Sequence, residues 1–493
     1  MSSSRRTFIL RLWIASLCLL TSVAHAQDVA EVPDAVRENV ELLVHKGLED
    51  TVGYAFVRDL TTEVGPRLAG SEAEARARSW STQKLAELGF ANIRTEPFTI
   101  PYWSRRVDRG SIVSPAPQNM VITALGGSTS TPPGGVEAEV IRFESMRELR
   151  AASSDIVAGK IVFIDEKMTR TQDGSGYVMA VRKRRNCATT TSEKDGVACL
   201  IRSVGTQDRR FAHTGMMSRS TAVGDGPAAA VSPPDAEQLT RLLENGPVRI
   251  RLDIQVEAQS EAPSGNVIAE VVGRERPEEV VLLGCHLDSW DLGTGAVDDG
   301  AGCGIVVGAA HLIMSLDEAP RRTIRIVLYG AEEVGVLGGH AYAKRHADEM
   351  DHHILAAESD FGADKIYRFD TRFGEGALPY ARAMQQMLEP LGIAPGHNLA
   401  GGGPDISMLP ELGVPVVSPR QSGWDYFDLH HTPDDTFDKI EHSKLNQNVA
   451  AYAAFAYLAA EMDWDFRPST GFGYKNRYRP KAAVSPSWSV REP

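Results

Sequence analysis

The sequence has 493 residues, 42% of them hydrophobic and 24% charged, and 65 Asp and Glu residues against 52 Lys and Arg give it a formal charge of −13. This composition indicates a folded globular protein of roughly two to four domains and excludes a disordered or collagen-like chain. The acidic balance argues against nucleic acid or an anionic membrane as the main partner, because both are bound through Lys and Arg. The five cysteines are too few for a disulfide-built scaffold.

Residues 1–26 have the pattern of an export signal. Three arginines precede an apolar run over residues 12–23, and Ala24-His25-Ala26 supplies a small-x-small cleavage site. The run is shorter than the about 20 residues that a bilayer span needs. Arg5-Arg6 resembles a twin-arginine signal, with an ordinary secretory signal as the alternative. We therefore predict a periplasmic or secreted protein without a membrane span, whose mature chain carries −13 − 3 = −16 charges.

The first half of the chain changes character several times. Residues 72–88 are predicted to form an amphipathic helix, and residues 93–100 and 111–125 two strands separated by the turn-prone Pro101 and Gly110. Residues 136–256 alternate short strands with one or two helices and show no convincing catalytic cluster. The basic run 182–185 in this region is predicted to be a solvated face.

Beyond Asn266 the pattern becomes an alternation of short apolar strands and helices. The strands are predicted over residues 280–284, 323–329, 353–357 and 414–417, and the helices over residues 300–314 and 378–388. Such alternation is typical of an α/β layer with a largely parallel sheet.

Four cysteines remain after the signal. Cys187 and Cys199 are twelve residues apart and could pair in an oxidising compartment. Cys285 and Cys303 lie in apolar surroundings, which predicts buried thiols.

Residues that bind metals follow the ends of the predicted strands and the loops between them. These residues are His286, Asp298, Glu332 and Glu333, Asp360, and the pair His430-His431. In doubly wound sheets the carboxyl ends of the strands form the ligand crevice. Each motif alone is weak, since a paired Asp is usually a turn and a paired Glu usually a solvated helix start. Several such clusters in this order are hard to obtain by chance.

A pair of divalent metal ions would explain this set of residues. Two ions about 3.5–4 Å apart need His and carboxylate ligands, a shared carboxylate and an open position for water. The predicted ligands are His286, Asp298, Glu333, Asp360 and His431. Asp298 would bridge the ions, and Glu332 would be free to accept a proton from the water as general base. Asp288 is predicted to accept a hydrogen bond from the other ring nitrogen of His286.

These segments resemble peptidase family M28, a family of di-zinc exopeptidases, and within it the carboxypeptidase Q-like group. The resemblance rests on residues 286–291, 295–300, 331–333, 358–360 and 430–431, with residues 64–71 and 200–204 outside the metal site. It spans roughly residues 35–465.

The resemblance implies an α/β fold, a phosphorylase/hydrolase-like mixed sheet with helices on both faces, interrupted by an inserted protease-associated-like β-rich domain. The implied division is an export signal over 1–26, an N-terminal part of the peptidase domain over 27–105, the insert over 106–263, the catalytic domain over 264–466 and a tail over 467–493. The insert could cover the cleft, shape selectivity or support a dimer.

The resemblance also implies roles at the site. Two Zn²⁺ ions per chain would be held, one by His286 and Asp360 and the other by Glu333 and His431, with Asp298 between them and a cis peptide after it. Cobalt or manganese could replace zinc. His430 would be an extra donor to the oxyanion. Asp405 would receive a free α-amino group, unless it only caps its own loop.

The predicted function is therefore an exported exopeptidase that acts on dipeptides or short peptides. Three alternatives stay open: an aminopeptidase on longer peptides, a glutaminyl cyclase with one zinc, and a non-catalytic receptor-like binding protein of the same fold. A short peptide is the expected partner, and a homodimer is left open.

Overall fold

The structure is a computed structural model that describes residues 28–217 and 226–468. The export signal predicted over residues 1–26 and the tail beyond residue 468 lie outside the described residues.

The described strands form one mixed sheet. The strands are β1 (Ala91–Ser114), β2 (Gln118–Met120), β3 (Ile122–Ala124), β4 (Val136–Phe143), β5 (Ile161–Ile164), β6 (Ala198–Arg202), β7 (Ala228–Val231), β8 (Arg249–Val271), β9 (Arg276–His286), β10 (Arg322–Tyr329), β11 (His353–Glu358), β12 (Ile366–Arg372), β13 (Ala394–Pro395) and β14 (Val416–Gln421). Their order is β13-β12-β14-β11-β9-β10-β8-β4-β5-β6-β7-β3, and β1 pairs with β8 and β2.

The helices are α1 (Asp34–Leu48), α2 (Val52–Asp59), α3 (Glu72–Glu87), α4 (Met146–Ala151), α5 (Ser154–Val157), α6 (Ser175–Ser192), α7 (Pro233–Asn245), α8 (Ala301–Met314), α9 (Leu337–Arg345), α10 (Leu378–Leu388), α11 (Tyr426–Leu429) and α12 (His442–Glu461). The predicted helices at 72–88, 300–314 and 378–388 are thereby confirmed. The predicted strand at 414–417 begins two residues later, as β14.

Helices cover both faces of the part of the sheet formed by β8–β12 and β14. Along β9, Val281 and Leu283 pack in the cluster that contains α8 and α12, whereas Val280 and Leu282 pack in the cluster that contains α9. This alternation is what a strand buried on both sides requires, because its side chains point to opposite faces in turn. The predicted α/β fold with a mixed sheet and helices on both faces is confirmed.

Helix α8 is the most apolar element of this core. With the turn before it, the stretch Ala296–Met314 is the one helix among the described residues that is long and apolar enough to cross a membrane, and 89% of its apolar stretch is buried inside the fold. Its apolar composition is therefore accounted for by packing between the sheet and α1, α2 and α12.

The predicted strand over 93–100 does not end at Pro101 but continues as β1 to Ser114, and the predicted strand over 111–125 is divided among the end of β1, β2 and β3. β1 pairs antiparallel with β8 over its whole length, from Ala91 opposite Glu270 to Ser114 opposite Arg249. The register shifts between Ile100 and Tyr102, so the missing N–H of Pro101 falls where the ladder is already interrupted. One end of this β1–β8 ribbon adjoins β10, and the other end adjoins β4.

The basic run 182–185 lies on α6 and is only half solvated. Arg182 and Arg185 are exposed, but Lys183 and Arg184 are 0% and 4% exposed. The prediction of a solvated face is wrong for these two residues. Successive side chains of a helix are rotated by about 100°, so Lys183 and Arg184 lie on the inner side of α6, which packs on the sheet, while Arg182 and Arg185 lie outside.

Two of the four described cysteines form a disulfide, and the other two are free thiols. Cys187 and Cys199 form a disulfide between α6 and β6, with Cα atoms 6.0 Å apart. Cys285 and Cys303 are free and buried, as predicted.

Candidate metal centre and active site

The predicted metal ligands converge at one edge of the sheet. β9 runs parallel to β10 on one side and to β11 on the other, and β11 runs parallel to β14. The carboxyl ends of these four strands therefore point the same way. His286 ends β9, Glu332 and Glu333 follow β10, Asp360 follows β11, and the loop that carries His430 and His431 follows β14.

Asp298 lies between two histidines. Its Oδ1 is 3.2 Å from His286 Nε2, and its Oδ2 is 3.2 Å from His431 Nε2. On the His286 side, Asp360 Oδ1 is 3.5 Å from the same Nε2. On the His431 side, Glu333 Oε2 is 2.9 Å from His431 Nε2. The five predicted ligands thus form a single cluster, here called the metal centre, with Asp298 in the middle.

The chemistry of this cluster fits a bound cation. Asp298 Oδ2 and Glu333 Oε1 are buried and accept no hydrogen bond from the described residues, which is costly for carboxylate oxygens unless another partner is present. Three sets of three residues in and around the centre could each hold a metal ion, because the ligand atoms within each set lie within 4.8 Å of one another. Asp299 and His430 belong to these sets in addition to predicted ligands.

The pKa values of His431 and His286 also fit a bound cation. Burial alone would lower the pKa of His431, but Glu333 and Asp298 raise it to about 10. Burial would also lower the pKa of His286. The negative charges of Asp360 and Asp298 have the larger effect and raise the pKa of His286 well above its ordinary value. Carboxylates that stabilise imidazolium ions this strongly would stabilise a divalent cation in place of those protons.

The predicted role of Asp288 is wrong in its details. The Nδ1 atom of His286 donates to the carbonyl oxygen of Asp288 at 2.9 Å, while the Asp288 carboxylate lies 3.8 Å away. The carboxylate instead accepts the backbone N–H groups of Glu332 at 3.0 Å and Glu333 at 3.3 Å. Asp288 is fully buried, which raises the pKa of its carboxyl to about 7. It positions the Glu pair as well as the histidine.

Glu332 lies beside the centre without belonging to the ligand pairs. Among the described residues, its carboxylate makes no ion pair with His286 or His431, and its side chain is half-buried. Burial, reinforced by Asp360 and Glu333, raises the pKa of Glu332 well above its ordinary range. This is the environment of a carboxyl group that exchanges protons.

His430 is held against the centre by ring stacking. Its ring stacks on that of His431 with centroids 3.5 Å apart, and its Nε2 lies 3.7 Å from Asp298 Oδ2. Its Nδ1 is buried with no hydrogen-bond partner in the described chain. Burial lowers the pKa of His430 well below its ordinary value. A neutral imidazole in this place can donate one N–H toward the centre.

Asp405 has one oxygen engaged and one without a partner. Its Oδ1 accepts the backbone N–H of Gly339 in the first turn of α9 at 3.1 Å, so part of the carboxylate does cap a helix. Its Oδ2 is buried and accepts no hydrogen bond from the described residues. Burial, with the charges of Glu358 and Glu332, raises the pKa of Asp405. Asp405 thus has one buried carboxylate oxygen that is free to accept a further hydrogen bond.

Comparisons with known proteins agree with this geometry. Residues 266–456 match the model of peptidase family M28. Carboxypeptidase Q from Mus musculus is 32% identical over 438 residues, which are 89% of this chain and 91% of the relative. The crystal structure of a peptidase M28 precursor from Shewanella amazonensis SB2B is 49% identical, with a TM-score of 0.87 over 88% of this chain and 99% of that one.

The chain belongs to peptidase family M28. The predicted resemblance to the carboxypeptidase Q-like group is thereby confirmed, and with it the assignment as an exopeptidase enzyme. BSAP, a zinc aminopeptidase from Bacillus subtilis, shares the fold at 20% identity, with a TM-score of 0.59 over 83% of this chain and 95% of that one.

Two acidic residues of this M28 peptidase were missed by the sequence analysis. Asp435 accepts the backbone N–H groups of Val297 at 2.6 Å and Asp298 at 3.3 Å, and burial raises its pKa to about 7. Asp299 accepts the N–H of His286 at 3.1 Å. The peptide bond between Asp298 and Asp299 is cis, as the resemblance implied. Both carboxylates act on the backbone that carries a ligand.

Arg67 fixes the loop between His286 and Asp298 of the M28 site. It is 0% exposed, and its guanidinium donates to the carbonyl oxygens of Leu287 (2.6 Å), Gly65 (3.1 Å), Thr294 (2.6 Å) and Gly295 (2.9 Å). Residues 64–71 carry the family resemblance, and this clamp is a physical reason for an arginine there. The only signal in the sequence was that resemblance.

Proposed function

We propose that this M28 member is an exported exopeptidase with two zinc ions per chain that hydrolyses dipeptides or short peptides. The observation that carries the proposal is the position of Asp298, which has one carboxylate oxygen 3.2 Å from His286 and the other 3.2 Å from His431. A carboxylate with one ligand histidine on each side is what a bridging ligand between two ions requires. His286 and Asp360 would hold one ion, and Glu333 and His431 the other.

When bound, zinc ions supply Lewis-acid polarisation of the scissile carbonyl and a lower pKa for water. Glu332 accepts a proton from the attacking water and then donates a proton to the leaving amine. Asp288 holds Glu332 in place through its backbone N–H. His430 donates an N–H to the oxyanion as it develops.

The proposed preference for short peptides rests on the similarity to carboxypeptidase Q. That enzyme is similar over nearly the whole chain, whereas bacterial aminopeptidases share only about a fifth of their residues with it. The unpaired Oδ2 of Asp405 could receive a substrate ammonium group, which favours an aminopeptidase on longer peptides as the second candidate. The complete ligand cluster supports neither a one-zinc glutaminyl cyclase nor a receptor-like protein that has lost its ligands.

Export and the domain division belong to the same proposal. The apolar run and cleavage pattern of residues 1–26 support export. Residues 106–263 include strands β2–β7, whose apolar side chains pack in two clusters beside the main core, one of which also contains Leu68, Trp103 and Trp290. This supports an insert of the protease-associated type, with a homodimer as one role that it could support.

The test combines metal analysis with substrate panels. We expect about two zinc ions per purified chain and hydrolysis of dipeptides that stops with a chelator and returns with zinc. Weak activity on tripeptides and on N-blocked peptides would favour the dipeptidase assignment, and strong tripeptide activity would favour the aminopeptidase.

Two matched variants separate catalysis from metal binding. Glu332→Gln should lower kcat by about 10²–10⁴-fold with metal content unchanged, since Glu332 is outside the ligand pairs. Glu333→Gln, one residue away, should lose metal as well as activity. A Glu332→Gln enzyme with the wild-type rate would refute the assignment of the general base.

A further inference from the structure

Residues 213 and 214, which precede the family-matched residues 266–456 in the sequence, contact the loop that carries His430 and His431. The backbone N–H of Thr214 donates to the carbonyl oxygen of His431 at 3.0 Å, and the carbonyl oxygen of Thr214 accepts from His431 Nδ1 at 3.1 Å. Beside it, His213 Nδ1 donates to the carbonyl oxygen of His430 at 2.8 Å. Residues 213 and 214 are therefore joined to residues 430 and 431 by one backbone hydrogen bond and two hydrogen bonds of histidine rings.

These contacts determine how His431 presents its ring. A histidine binds metal through one ring nitrogen, and the hydrogen bond of the other nitrogen sets the ring orientation. With Nδ1 held by Thr214, Nε2 points at Asp298 and Glu333. The backbone of His431 also lies in the left-handed region, with φ of 62°, which is uncommon for a residue other than glycine. Such a conformation needs surrounding contacts to hold it.

Arg184 of α6 completes the contact from the same region. Its Nη1 lies 3.3 Å from the carbonyl oxygen of Thr214 and 3.4 Å from His431 Nδ1, and its Nη2 donates to the Tyr177 hydroxyl at 2.6 Å. Arg184 is only 4% exposed. A guanidinium this deeply buried needs hydrogen-bond acceptors, and the Thr214 carbonyl is one of them.

The packing leaves no space for a side chain next to Thr214. A Cβ atom on Gly215 would lie 2.7 Å from His431 Nδ1 and closer still to the guanidinium of Arg184. Both neighbours are themselves held, so the added methyl group would displace the ligand, the arginine or residue 214.

We propose that Thr214 and Arg184 are positioning residues that orient His431, so that the His431 side of the metal centre is assembled by residues outside the 266–456 segment that matches the family. The His286 side is held instead by Asp288 and Asp299, from within that segment. Substitutions at residues 184 and 215 should therefore weaken the binding of one metal ion and leave the binding of the other unchanged. This inference rests on the proposed two-metal function.

The experiment measures metal binding in the full-length protein. Apo protein is titrated with Zn²⁺ and, for its visible spectrum, with Co²⁺, and both binding steps are resolved. In Gly215→Ala we expect one of the two steps to weaken by about 10–100-fold while the other keeps its wild-type affinity. Gly246→Ala is the matched control, since Gly246 also has a large positive φ (147° against 132°) but nothing within 4 Å of an added Cβ.

Three further variants guard against misfolding of Gly215→Ala. Arg184→Met removes the guanidinium from Thr214 and should weaken the same step, and Arg184→Lys should recover part of the loss. Arg185→Met, on the exposed side of α6, should bind both ions normally. The circular dichroism and melting temperature of each variant are recorded alongside.

The outcomes separate the two ideas. If the wild type binds two ions and both Gly215→Ala and Arg184→Met bind both normally, the positioning role is wrong while the proposed function stands. Equal weakening of both steps would also overturn it, because it would show a general loosening. If the wild type itself takes up fewer than two ions, the proposed two-metal function fails first and the inference fails with it.

Discussion

Replacing Arg67 tests whether the loop that carries the ligands is held by a single side chain. Arg67→Met keeps the approximate length of the side chain but removes all the donors. Among the described residues, the carbonyl oxygens of Gly65, Leu287 and Thr294 then lose their hydrogen-bond donor. The carbonyl oxygen of Gly295 keeps the backbone N–H of Gly300 at 3.0 Å. A buried acceptor left unsatisfied costs about 1–3 kcal/mol, so even the lower end for three acceptors gives a loss of about 3 kcal/mol in the free energy of unfolding.

This loss converts into a measurable melting shift. A cooperative unit of roughly 430 residues has an unfolding entropy of about 0.9 kcal/mol/K, so 3 kcal/mol corresponds to about 3 °C. We expect that drop by differential scanning calorimetry, with weaker metal binding, because the loop joins His286 to the turn of Asp298. Arg67→Lys should fall between the two.

The control is Arg251→Met, since Arg251 is exposed and pairs with Glu137 on the surface of the β1–β8 ribbon. It should leave the transition unchanged. A loss for Arg67→Met below about 1 kcal/mol would refute the reasoning, because it would mean that the three carbonyl oxygens find other donors, such as water, at no cost.

Three further predictions concern other parts of the chain. Replacing Cys187 and Cys199 by serine should lower the free energy of unfolding by about 3 kcal/mol, because the disulfide no longer reduces the chain entropy of the unfolded state. A reductant should have the same effect on the wild type, and unchanged melting curves would contradict the prediction. Lys183→Met should raise the melting temperature at pH 6 and much less at pH 9. Burial lowers the pKa of Lys183 to about 7 from 10.5, so wild-type stability rises with pH across that interval and the variant lacks the rise; equal gains at both pH values would disprove it. Asp435→Asn should weaken metal binding about 10–100-fold by calorimetric titration, because the carboxylate holds the backbone of Asp298, and wild-type affinity would count against that role.

Much of the site could be predicted because side chains that bind metals follow apolar strands in a recognisable order. His286, Glu333 and Asp360 each come after a strand whose pattern is plain, and parallel pairing then brings them to one edge. Asp435 and Asp299 could not be found in this way. Their carboxylates accept backbone N–H groups of turns elsewhere in the fold, and such a bond leaves no pattern in the sequence around the acceptor.

The errors have equally local causes. Asp288 lies two residues from His286, which suggested a contact between side chains, but the backbone brings its carbonyl oxygen to the ring and turns its carboxylate to the Glu pair. Pro101 was interpreted as the end of a strand, although a register shift in the ladder accommodates it. The burial of Lys183 and Arg184 depends on what α6 packs against, which composition does not reveal.

The β1–β8 ribbon has a consequence for synthesis in the cell. The last residue of β1, Ser114, leaves the ribosome 249 − 114 = 135 residues before the first residue of β8, Arg249. At about 5–20 residues per second, this delay lasts about 7–27 s. Throughout it, a strand of 24 residues has no partner for most of its backbone. During translation, β1 is thus open to aggregation or to capture by a chaperone until β8 has been made.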